Sequence, residues 1–331
     1  MNRLAIIGAG SWGTALAIAL YSRFDEIRIW AREPQRAIEI EQSGENSRYL
    51  PGFRLPQNIF VSSDLEAALK GAGYVLSAVP SAHLRNVFMA AHDYVHPNAL
   101  VVSATKGLEE RSLKRMSQVL AETLDGGRER IGVLSGPAFA KEIAAGEPAA
   151  VVIAASELSV AARLQHAFAT TALRLYTSSD VVGVELGAAL KNVIAIGAGI
   201  CRGLGLGSNC IAALVTRGLA EITRLAVKMG GDPRTLSGLA GLGDLVLTAT
   251  GDLSRNRYVG VRLGQGHQLD DILRGMPMIA EGVATCSAAY QLGIQYQADL
   301  PIVDQMHAVL YEGKDPHEAI RELMDRPLTC E

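Results

Sequence analysis

The sequence predicts an α/β protein, with a doubly wound, mostly parallel sheet in its first half and helices alone in its second half. In the first half, short apolar and β-branched segments alternate with amphipathic helical segments. From Asp180 onward, strand-like segments become rare and long helical patterns replace them. Continuous apolar strands that are joined by helices indicate a parallel sheet covered on both faces. We therefore expect two domains, at residues 1–180 and 181–331.

The individual elements follow from hydrophobic pattern and from helix caps. The predicted strands are short apolar segments at 4–8, 27–30, 58–61, 74–79, 99–104, 131–135 and 150–154. The helical segments between them include 14–24, 64–72 and 113–124. In the second half, residues 181–203 are apolar nearly all round, as expected of a helix buried in a bundle. The remaining predicted helices lie at 208–230, 255–264, 281–293, 301–312 and 315–325.

Length and composition place the chain among ordinary globular proteins of about two domains. It has 331 residues, of which 49% are apolar and 20% are charged, and its formal net charge is −3. This charge argues against the broad basic surface of a nucleic-acid or anionic-membrane binder, but allows a local anion pocket. The four cysteines lack metal or disulfide spacing, and no uninterrupted apolar segment reaches the about 18 residues of a transmembrane helix. We expect a reduced, cytoplasmic protein.

A glycine-rich segment follows the first predicted strand and opens the first helix. Gly8, Gly10 and Gly13 form the pattern G-x-G-x-x-G, with Ser11 and Trp12 inside it. In this context the glycines allow a tight turn, close approach to a pyrophosphate and close helix–strand packing. The helix N-terminus then presents free N–H groups to the phosphates. The segment predicts a dinucleotide-binding domain of the Rossmann type, and no VAIK, HRD or DFG segment supports a kinase-type loop.

The end of the second predicted strand bears on which dinucleotide binds. An NAD site usually places Asp or Glu there to hold the ribose hydroxyl groups, whereas Arg suits the 2′-phosphate of NADP. Here Arg32 comes first and Glu33 follows it. This order favours NADP(H) and leaves NAD(H) open.

Two further segments follow predicted strands. Lys106 comes straight after the strand at 99–104, and a Gly-Pro turn within 135–146 leads from a strand into a helix. Ligands of doubly wound sheets bind beyond the carboxyl ends of the strands, so both segments are candidates for one cleft. A solvated lysine and an ordinary turn are the alternatives.

Two ionisable residues of the second half lie in apolar sequence. Lys191 shares a helix face with Val184 and Ala188, so its ammonium group starts from an apolar surface. Burial would lower the pKa of this lysine toward the range that suits proton transfer. If the side chain instead reaches solvent, its pKa would keep the usual lysine value. Asp244 lies between glycines and an apolar segment, a position that calls for a facing cation such as lysine.

The segment 254–256 predicts the local anion pocket. Ser254 has the character of a helix N-cap, which places Arg255 and Asn256 in the first helical turn. An arginine at a helix N-terminus opposes the dipole preference unless an anion binds there. His92 and His96 have the spacing of two metal ligands, but no third ligand is suggested nearby, so we expect a solvated helix end and no metal.

With these segments in view, the chain resembles the bacterial NAD(P)-dependent glycerol-3-phosphate dehydrogenases over essentially its whole length. The resemblance is carried, in order, by GAGSWGTALA, ATKGLE, SGPAFAKE, LKNVIAIGAG, GLGDLVLT and SRNR. It implies hydride exchange between NAD(P)H and dihydroxyacetone phosphate, which gives sn-glycerol 3-phosphate for phospholipid synthesis. It also implies Lys191 as the proton donor to the nascent alkoxide, with Lys106 and Asp244 at the reacting centre.

The motifs and the resemblance together imply a set of binding residues. Substrate contacts are expected at Lys106, Gly136, Ala138, Lys191, Asp244, Ser254, Arg255 and Asn256. Cofactor contacts are expected at Gly8, Gly10, Ser11, Trp12, Gly13, Arg32, Tyr49, Lys106, Ala140, Arg255, Ile279 and Glu281. Some relatives carry Thr or Ser at position 138, where this chain has an alanine without a hydroxyl group.

Two other functions are open to a chain of this pattern. A β-hydroxyacid or ketopantoate-type reductase would share the domain arrangement, and a requirement for a phosphate-ended substrate distinguishes the two. A nicotinamide-sensing regulator without turnover would leave Lys106, Lys191 and Asp244 without a purpose, and no nucleic-acid module is recognisable. A homodimer is expected only because two-fold assemblies are common.

Overall fold

The computed structural model describes residues 2–125, 127–276 and 278–328, and these form two compact units. The first unit comprises the residues up to Lys106 together with Lys114–Glu185. The second unit comprises Gly107–Leu113 together with the residues from Leu186 onward. The first unit contains a sheet with its helices, and the second unit is helical.

An eight-stranded sheet forms the centre of the first unit. Its strands are β1 (Arg3–Ile7), β2 (Glu26–Trp30), β3 (Ile59–Ser62), β4 (Tyr74–Ser77), β5 (Leu100–Ser103), β6 (Ile131–Ser135), β7 (Ala149–Ala155) and β8 (Leu173–Ser178). Their order across the sheet is β3-β2-β1-β4-β5-β6-β7-β8, and every neighbouring pair is parallel except β6 and β7. The chain reverses direction across the sheet between β1 and β4, where doubly wound sheets bind their ligands.

Helices cover both faces of this sheet. They are α1 (Ser11–Leu20), α2 (Pro34–Ser43), α3 (Leu65–Leu69), α4 (Ser81–Ala91), α5 (Met116–Thr123), α6 (Ala140–Ala144) and α7 (Leu158–Phe168). In β1, Leu4 and Ile6 join one buried cluster, whereas Ala5 and Ile7 join another. Because successive side chains of a strand point to opposite faces, both faces are buried. The predicted doubly wound sheet is therefore confirmed.

The observed elements differ from the predicted ones at particular places. β8 is absent from the predicted strands, because exposed Arg174 and Tyr176 alternate with its buried residues and break the apolar pattern. The predicted helix at 14–24 begins at Ser11 instead and gives way to a 3₁₀ turn at Tyr21–Arg23. Helix propensity does not predict this earlier start, because Gly13 lies in the first turn and glycine is a poor helix former.

The described residues of the second unit form helices and connecting segments without a strand, as predicted. The helices are α8 (Val181–Gly203), α9 (Ser208–Lys228), α10 (Pro233–Leu236), α11 (Asp244–Thr250), α12 (Arg255–Gly264), α13 (Leu269–Arg274), α14 (Glu281–Gln295), α15 (Pro301–Tyr311) and α16 (Pro316–Met324). α8 and α12 have the predicted bounds, and α8 begins within the first unit. By length and composition α8 could cross a membrane, yet 89% of its most apolar stretch is buried in the protein, as in a core helix.

Glycines bring the backbones of α8 and α12 into contact. Gly199 and Gly203 of α8 approach Gly260 and Gly264 of α12. A methyl group on Gly260 would overlap the carbonyl oxygen of Ile196. The spacing of four residues places both glycines of each helix on one face. A side chain at these positions would force the two helices apart.

Glu221 of α9 is buried and caps the beginning of α15. Only 3% of the residue is exposed, and its carboxylate accepts hydrogen bonds from the N–H groups of Ile302 and Val303 at 2.8 and 3.2 Å. Burial raises the pKa of this carboxyl to about 8, with a small further rise from Asp304, although the two hydrogen bonds and Arg224 oppose the rise. The native protein therefore holds a proton that an unfolded chain, with a carboxyl pKa of 4.5, has released near neutrality.

We expect the free energy of unfolding to fall as the pH rises from about 5 to about 8, and Glu221→Gln to remove this part of the dependence. The native state binds more protons than the unfolded state across this window, so the slope is negative and reaches at most about 1.4 kcal/mol per pH unit. Urea denaturation at several pH values measures the slope. Glu318→Gln, at an exposed position of α16, should keep the wild-type slope. Equal slopes in wild type and Glu221→Gln would contradict the prediction.

Candidate active site

The glycine-rich turn joins β1 to α1 beside the end of β4. Gly8 has a φ of +121°, which favours glycine, and a methyl group there would lie 2.8 Å from the carbonyl oxygen of Ala78. A methyl group on Gly13 would overlap the carbonyl oxygen of Gly8. The fold itself therefore requires glycine at positions 8 and 13.

Gly10 has no comparable internal reason to be glycine. It is the N-cap of α1 with a φ of −80°, and a methyl group on it would meet none of the described atoms within 4 Å. It also has no side chain to cap the first N–H groups of the helix. A backbone that must approach a ligand explains a glycine in open space, and free N–H groups at a helix N-terminus favour phosphate. The turn thus fits the pyrophosphate of a dinucleotide.

The segment from Asn46 to Tyr49 packs against this turn. The amide Nδ2 of the fully buried Asn46 donates to the Ala9 carbonyl oxygen at 2.9 Å and to Thr14 Oγ1 at 2.8 Å. The hydroxyl of Ser11 donates to the carbonyl oxygen of Tyr49. These bonds place Tyr49, a predicted cofactor contact, beside the glycine-rich turn.

Three more predicted residues of the first unit lie together beyond the ends of β5 and β6. The ammonium group of Lys106 lies 5.8 Å from the centre of the Trp12 ring and donates to the carbonyl oxygen of Gly136 at 2.9 Å. Gly136 has a φ of +142°, and a methyl group on it would come within 2.8 Å of Val151 Cα. The backbone at Gly136 therefore requires glycine, and its carbonyl oxygen is held against Lys106 by this hydrogen bond.

The other predicted residues of the first unit have simpler surroundings. Arg32 follows β2 with its side chain 68% exposed, and it pairs with Glu33 at 3.5 Å. Ala138 and Ala140 are half-buried and pack against the apolar core. Neither alanine has a polar side chain, so each could contact a ligand only through its backbone or its methyl group.

Lys191 lies near the middle of α8, and its ammonium group is buried. Lys191 is 5% exposed and Asp244 is 1% exposed, and the two form an ion pair. The ammonium also donates to Thr248 Oγ1 at 2.8 Å, and that hydroxyl donates to the Asp244 carbonyl oxygen at 2.6 Å. The carboxylate favours the charged lysine, which burial alone would disfavour. The structure thus selects the buried alternative for Lys191 and confirms that a cation faces Asp244.

A π-helical turn brings Asp244 to this position. Residues Leu239–Gly243 form the turn, and Asp244 begins α11 directly after it. α8 approaches the turn so closely that a methyl group on Gly187 would come within 2.6 Å of the Ala240 carbonyl oxygen. Such local π geometry is frequent at functional sites. Within the turn, a methyl group on Gly241 would overlap the carbonyl oxygen of Leu236, so the close packing of the turn against α10 requires glycine there.

The first turn of α12 carries the residues that were predicted to bind an anion. Ser254 is the N-cap, as predicted, because its hydroxyl oxygen accepts from the N–H of Arg257 at 3.2 Å. Arg255 is exposed, yet the protein around its guanidinium lowers the pKa by desolvation, an effect that Glu281 opposes. Arg257 pairs with Asp252 at 2.7 Å. An exposed arginine in a concave position at a helix N-terminus fits an anionic ligand.

Asn256 is buried and links three helices. Its Nδ2 donates to Asn192 Oδ1 at 2.9 Å, and its Oδ1 accepts from the N–H of Gly282 at 2.9 Å. A methyl group on Gly282 would lie 2.7 Å from the Asn192 carbonyl oxygen. These contacts join α8, α12 and α14 next to Lys191. The buried amide of Asn256 thus serves the protein fold as well as any ligand.

A cleft of about 260 Å³ opens beside Arg255. Its walls combine Ser254 and Arg255, which were predicted to bind an anion, with apolar side chains, and they are formed by Asp252, Leu253, Ser254, Arg255, Tyr258, Gly275, Met276 and Met278. Of the remaining predicted cofactor contacts, Ile279 is 48% exposed and Glu281 begins α14. The second unit therefore offers an open, mixed polar and apolar surface around Arg255.

Thr248, Asn192 and Asn46 are polar residues of the site region that the sequence analysis missed. Thr248 follows Asp244 by four residues, which is the spacing of one helix face, so this signal was available. Asn192 directly follows Lys191 in sequence, but its contact with α12 depends on helix packing. No sequence pattern links Asn46 to the glycine-rich turn.

The histidine pair and the cysteines show other arrangements than a metal site. His92 contacts Asp93 at 2.9 Å and Asp125 at 2.7 Å, and these hydrogen bonds raise its pKa. Across residues 2–125, 127–276 and 278–328, no group of three or more His, Cys, Asp or Glu is placed to hold a metal ion. Cys201, Cys210 and Cys286 are free thiols, and Cys330 lies outside the described residues.

Comparisons with known proteins cover both units. The family models described as NAD-dependent glycerol-3-phosphate dehydrogenase N-terminus and C-terminus match residues 3–161 and 180–321. A glycerol-3-phosphate dehydrogenase (NAD(P)+) of Koribacter versatilis is 51% identical over 334 residues, covering 100% of this chain and 99% of the relative. The crystal structure of a glycerol-3-phosphate dehydrogenase from Coxiella burnetii matches with a TM-score of 0.93 at 37% identity, covering 98% and 99% of the two chains.

A more distant likeness bears on the rival function. A ketopantoate reductase from Ralstonia eutropha matches with a TM-score of 0.62 at 19% identity, covering 96% of this chain and 99% of that one. At this level of identity the likeness shows a shared fold alone.

Proposed function

The chain belongs to the NAD-dependent glycerol-3-phosphate dehydrogenase family, and from that premise we propose how its own residues carry out the reaction. It is an NAD(P)-dependent oxidoreductase that reduces dihydroxyacetone phosphate to sn-glycerol 3-phosphate, which supplies glycerophospholipid synthesis. The observation that carries the proposed mechanism is the buried contact of Lys191 with Asp244 and Thr248.

In the proposed mechanism the first unit holds the dinucleotide at the glycine-rich turn. Gly8 and Gly13 shape the turn, Gly10 leaves room for the pyrophosphate, and the positive end of the α1 dipole favours its negative charge. The bound NAD(P)H supplies the hydride. The family resemblance assigns further cofactor contacts to Ser11, Trp12, Arg32, Tyr49, Lys106, Ala140, Arg255, Ile279 and Glu281.

The substrate phosphate is assigned to Ser254, Arg255 and Asn256. The support for this assignment is an exposed guanidinium at the N-terminus of the ten-residue helix α12, where an anion is favoured by both charge and dipole. Binding energy from a phosphate remote from the reacting carbon orients the carbonyl group for reaction. The resemblance adds Lys106, Gly136 and Ala138 as residues that border the substrate.

Lys191 is the proposed proton donor. As hydride adds to the carbonyl carbon, the electron pair of the C=O π bond moves onto oxygen, and a nearby ammonium group stabilises that charge. The Nζ of Lys191 then transfers a proton to this oxygen, which leaves a hydroxyl group and a neutral amine. Asp244 and Thr248 hold Nζ in place throughout. In the reverse direction the neutral amine accepts the proton.

The reaction is tested by the loss of reduced-nicotinamide absorbance. With dihydroxyacetone phosphate and either NADPH or NADH, we expect turnover with a kcat/KM about 100-fold or more above that for unphosphorylated dihydroxyacetone. This factor corresponds to charge-assisted hydrogen bonds that only the phosphate makes. Equal kcat/KM for the two ketones would contradict the anion pocket. Turnover of ketopantoate but not of dihydroxyacetone phosphate would contradict the reaction.

Three further features are proposals of the same kind. A functional division near residue 180 would separate the glycine-rich turn from Lys191 and the anion pocket. A cytoplasmic location is supported by the free thiols of Cys201, Cys210 and Cys286, which suit a reducing compartment. A homodimer has only the general commonness of two-fold assemblies in its favour, and sedimentation velocity tests it.

A further inference from the structure

The guanidinium groups of Arg36 and Arg48, which no sequence motif singled out, contact the ring of Tyr49. The Cζ atom of Arg48 lies 5.3 Å from the centre of the ring, and that of Arg36 lies 5.7 Å from it. The backbone of Tyr49 is bound to Ser11 of the glycine-rich turn. The two guanidinium groups therefore lie at a tyrosine whose backbone is hydrogen-bonded to the glycine-rich turn.

The carboxylates near these arginines do not balance their charge. Arg36 pairs with Glu39 at 3.6 Å and Arg32 pairs with Glu33 at 3.5 Å, and both carboxylates are more than half exposed. Among the residues that the structure describes, no carboxylate lies within ion-pair distance of Arg48. Two guanidinium groups at one ring repel each other unless an anion lies close by. Arg36 and Arg48 with Glu39 therefore leave a net positive charge at the Tyr49 ring, in a protein whose overall charge is negative.

Arg36 gives a second indication that an anion binds here. Its side chain is only 17% exposed, in the first turn of α2. Its Nε is buried and has no hydrogen-bond partner among the described residues. A buried donor without a partner is costly, so such a group in a native protein calls for a ligand or water at that place.

We propose that Arg48 and Arg36, together with Arg32, form the subsite that binds the 2′-phosphate of NADP and sets the preference for NADP(H) over NAD(H). The proposal rests on the dinucleotide-binding role proposed above for the first unit. A phosphate monoester carries a charge of about −1.5 to −2 near neutrality, and guanidinium groups bind it in bidentate fashion. The Tyr49 ring holds the guanidinium groups in place by cation–π contact. Arg48 has the largest role, since it is exposed and has no carboxylate partner.

Binding of the adenosine half alone tests this without turnover. Isothermal titration of the full-length protein compares adenosine 2′,5′-bisphosphate with AMP, which differ only in the 2′-phosphate. We expect wild type to prefer the bisphosphate about 30-fold or more, and Arg48→Met to reduce that preference about tenfold while the Kd for AMP changes less than about twofold. Arg48→Lys, which keeps the charge but not the planar fork, should recover part of the preference.

Arg163→Met is the matched control. Arg163 lies at an exposed position of α7. This helix connects β7 to β8, which are at the opposite end of the sheet from β2. The substitution Arg163→Met removes the same charge as Arg48→Met and should leave the ratio of the two Kd values unchanged. In steady-state assays, Arg48→Met should raise the KM for NADPH about tenfold and leave the KM for NADH within about twofold of wild type.

The outcomes separate this subsite from the proposed function. A wild type that reduces dihydroxyacetone phosphate but binds the bisphosphate no better than AMP overturns the 2′-phosphate subsite alone. The same holds if both Arg48→Met and Arg36→Met keep the wild-type ratio of Kd values. A wild type that binds the bisphosphate preferentially but reduces dihydroxyacetone phosphate with neither cofactor contradicts the function and not the subsite.

Discussion

Replacing Lys191 with methionine is expected to lower kcat about a thousandfold or more and to leave the Kd for NADPH within about twofold of wild type. A positioned general acid contributes about 100- to 10,000-fold, and the same ammonium group stabilises negative charge on the substrate oxygen. Methionine preserves the apolar stem of the side chain within α8. Steady-state assays with dihydroxyacetone phosphate measure kcat, and tryptophan fluorescence titration measures the Kd for NADPH.

The controls separate lost chemistry from lost stability. Lys191→Met leaves the carboxylate of Asp244 buried without its lysine, and breaking a buried ion pair in this way costs about 3–5 kcal/mol. The double variant Lys191→Met/Asp244→Asn removes both charges and should recover thermal stability without recovering kcat. If kcat is unchanged in the single variant, or returns in the double variant, Lys191 is not the proton donor.

Arg255→Ala is expected to raise the KM for dihydroxyacetone phosphate about 30-fold or more, while kcat falls no more than about fivefold. Arg255 is proposed to bind the phosphate, which does not react, so its loss weakens ground state and transition state to a similar degree. The preference for the phosphorylated ketone over dihydroxyacetone should therefore shrink by a similar factor. Initial rates over a range of both ketone concentrations measure these quantities.

Arg257→Ala is the matched control for Arg255→Ala. Arg257 lies in the same helical turn, but it is paired with Asp252, whose side chain is 94% exposed. An ion pair with so exposed a partner contributes little, and we expect a KM within about twofold of wild type. A defect of Arg255→Ala confined to kcat, or an equal rise of KM in both variants, would speak against Arg255 as the phosphate ligand.

The strands were predictable from sequence where both of their faces are buried. β1, β5 and β6 are almost wholly buried, so their apolar residues form uninterrupted patterns that identify them as strands. β8 lies at the edge of the sheet, and its exposed Arg174 and Tyr176 remove that pattern. The polar sequence of α2 hides it for the same reason, because only Ala37 and Ile40 of that helix are buried.

The candidate site was predictable where local sequence makes a physical demand. A carboxylate among apolar residues demands a cation, which indicated that Asp244 faces a lysine, and the structure identifies it as Lys191. Whether Lys191 was buried could not be read from its helix alone, because a long side chain reaches either solvent or core. The contacts of Arg36 and Arg48 with Tyr49 were beyond the sequence, since they require the segment before β3 to fold back on α2.

The glycine contact between α8 and α12 fixes the distance between the two helices and therefore limits the length of a substrate that contacts both. Lys191 stands on one of these helices and Arg255 on the other, and no side chain at the contact can repack to change their separation. If Lys191 and Arg255 have the proposed roles, a phosphorylated ketone with one more carbon between carbonyl and phosphate is expected to bind poorly because of its length rather than its charge. Substitution of Gly260 by a larger residue, which would move α12 away from α8, is therefore the change we expect to admit longer substrates.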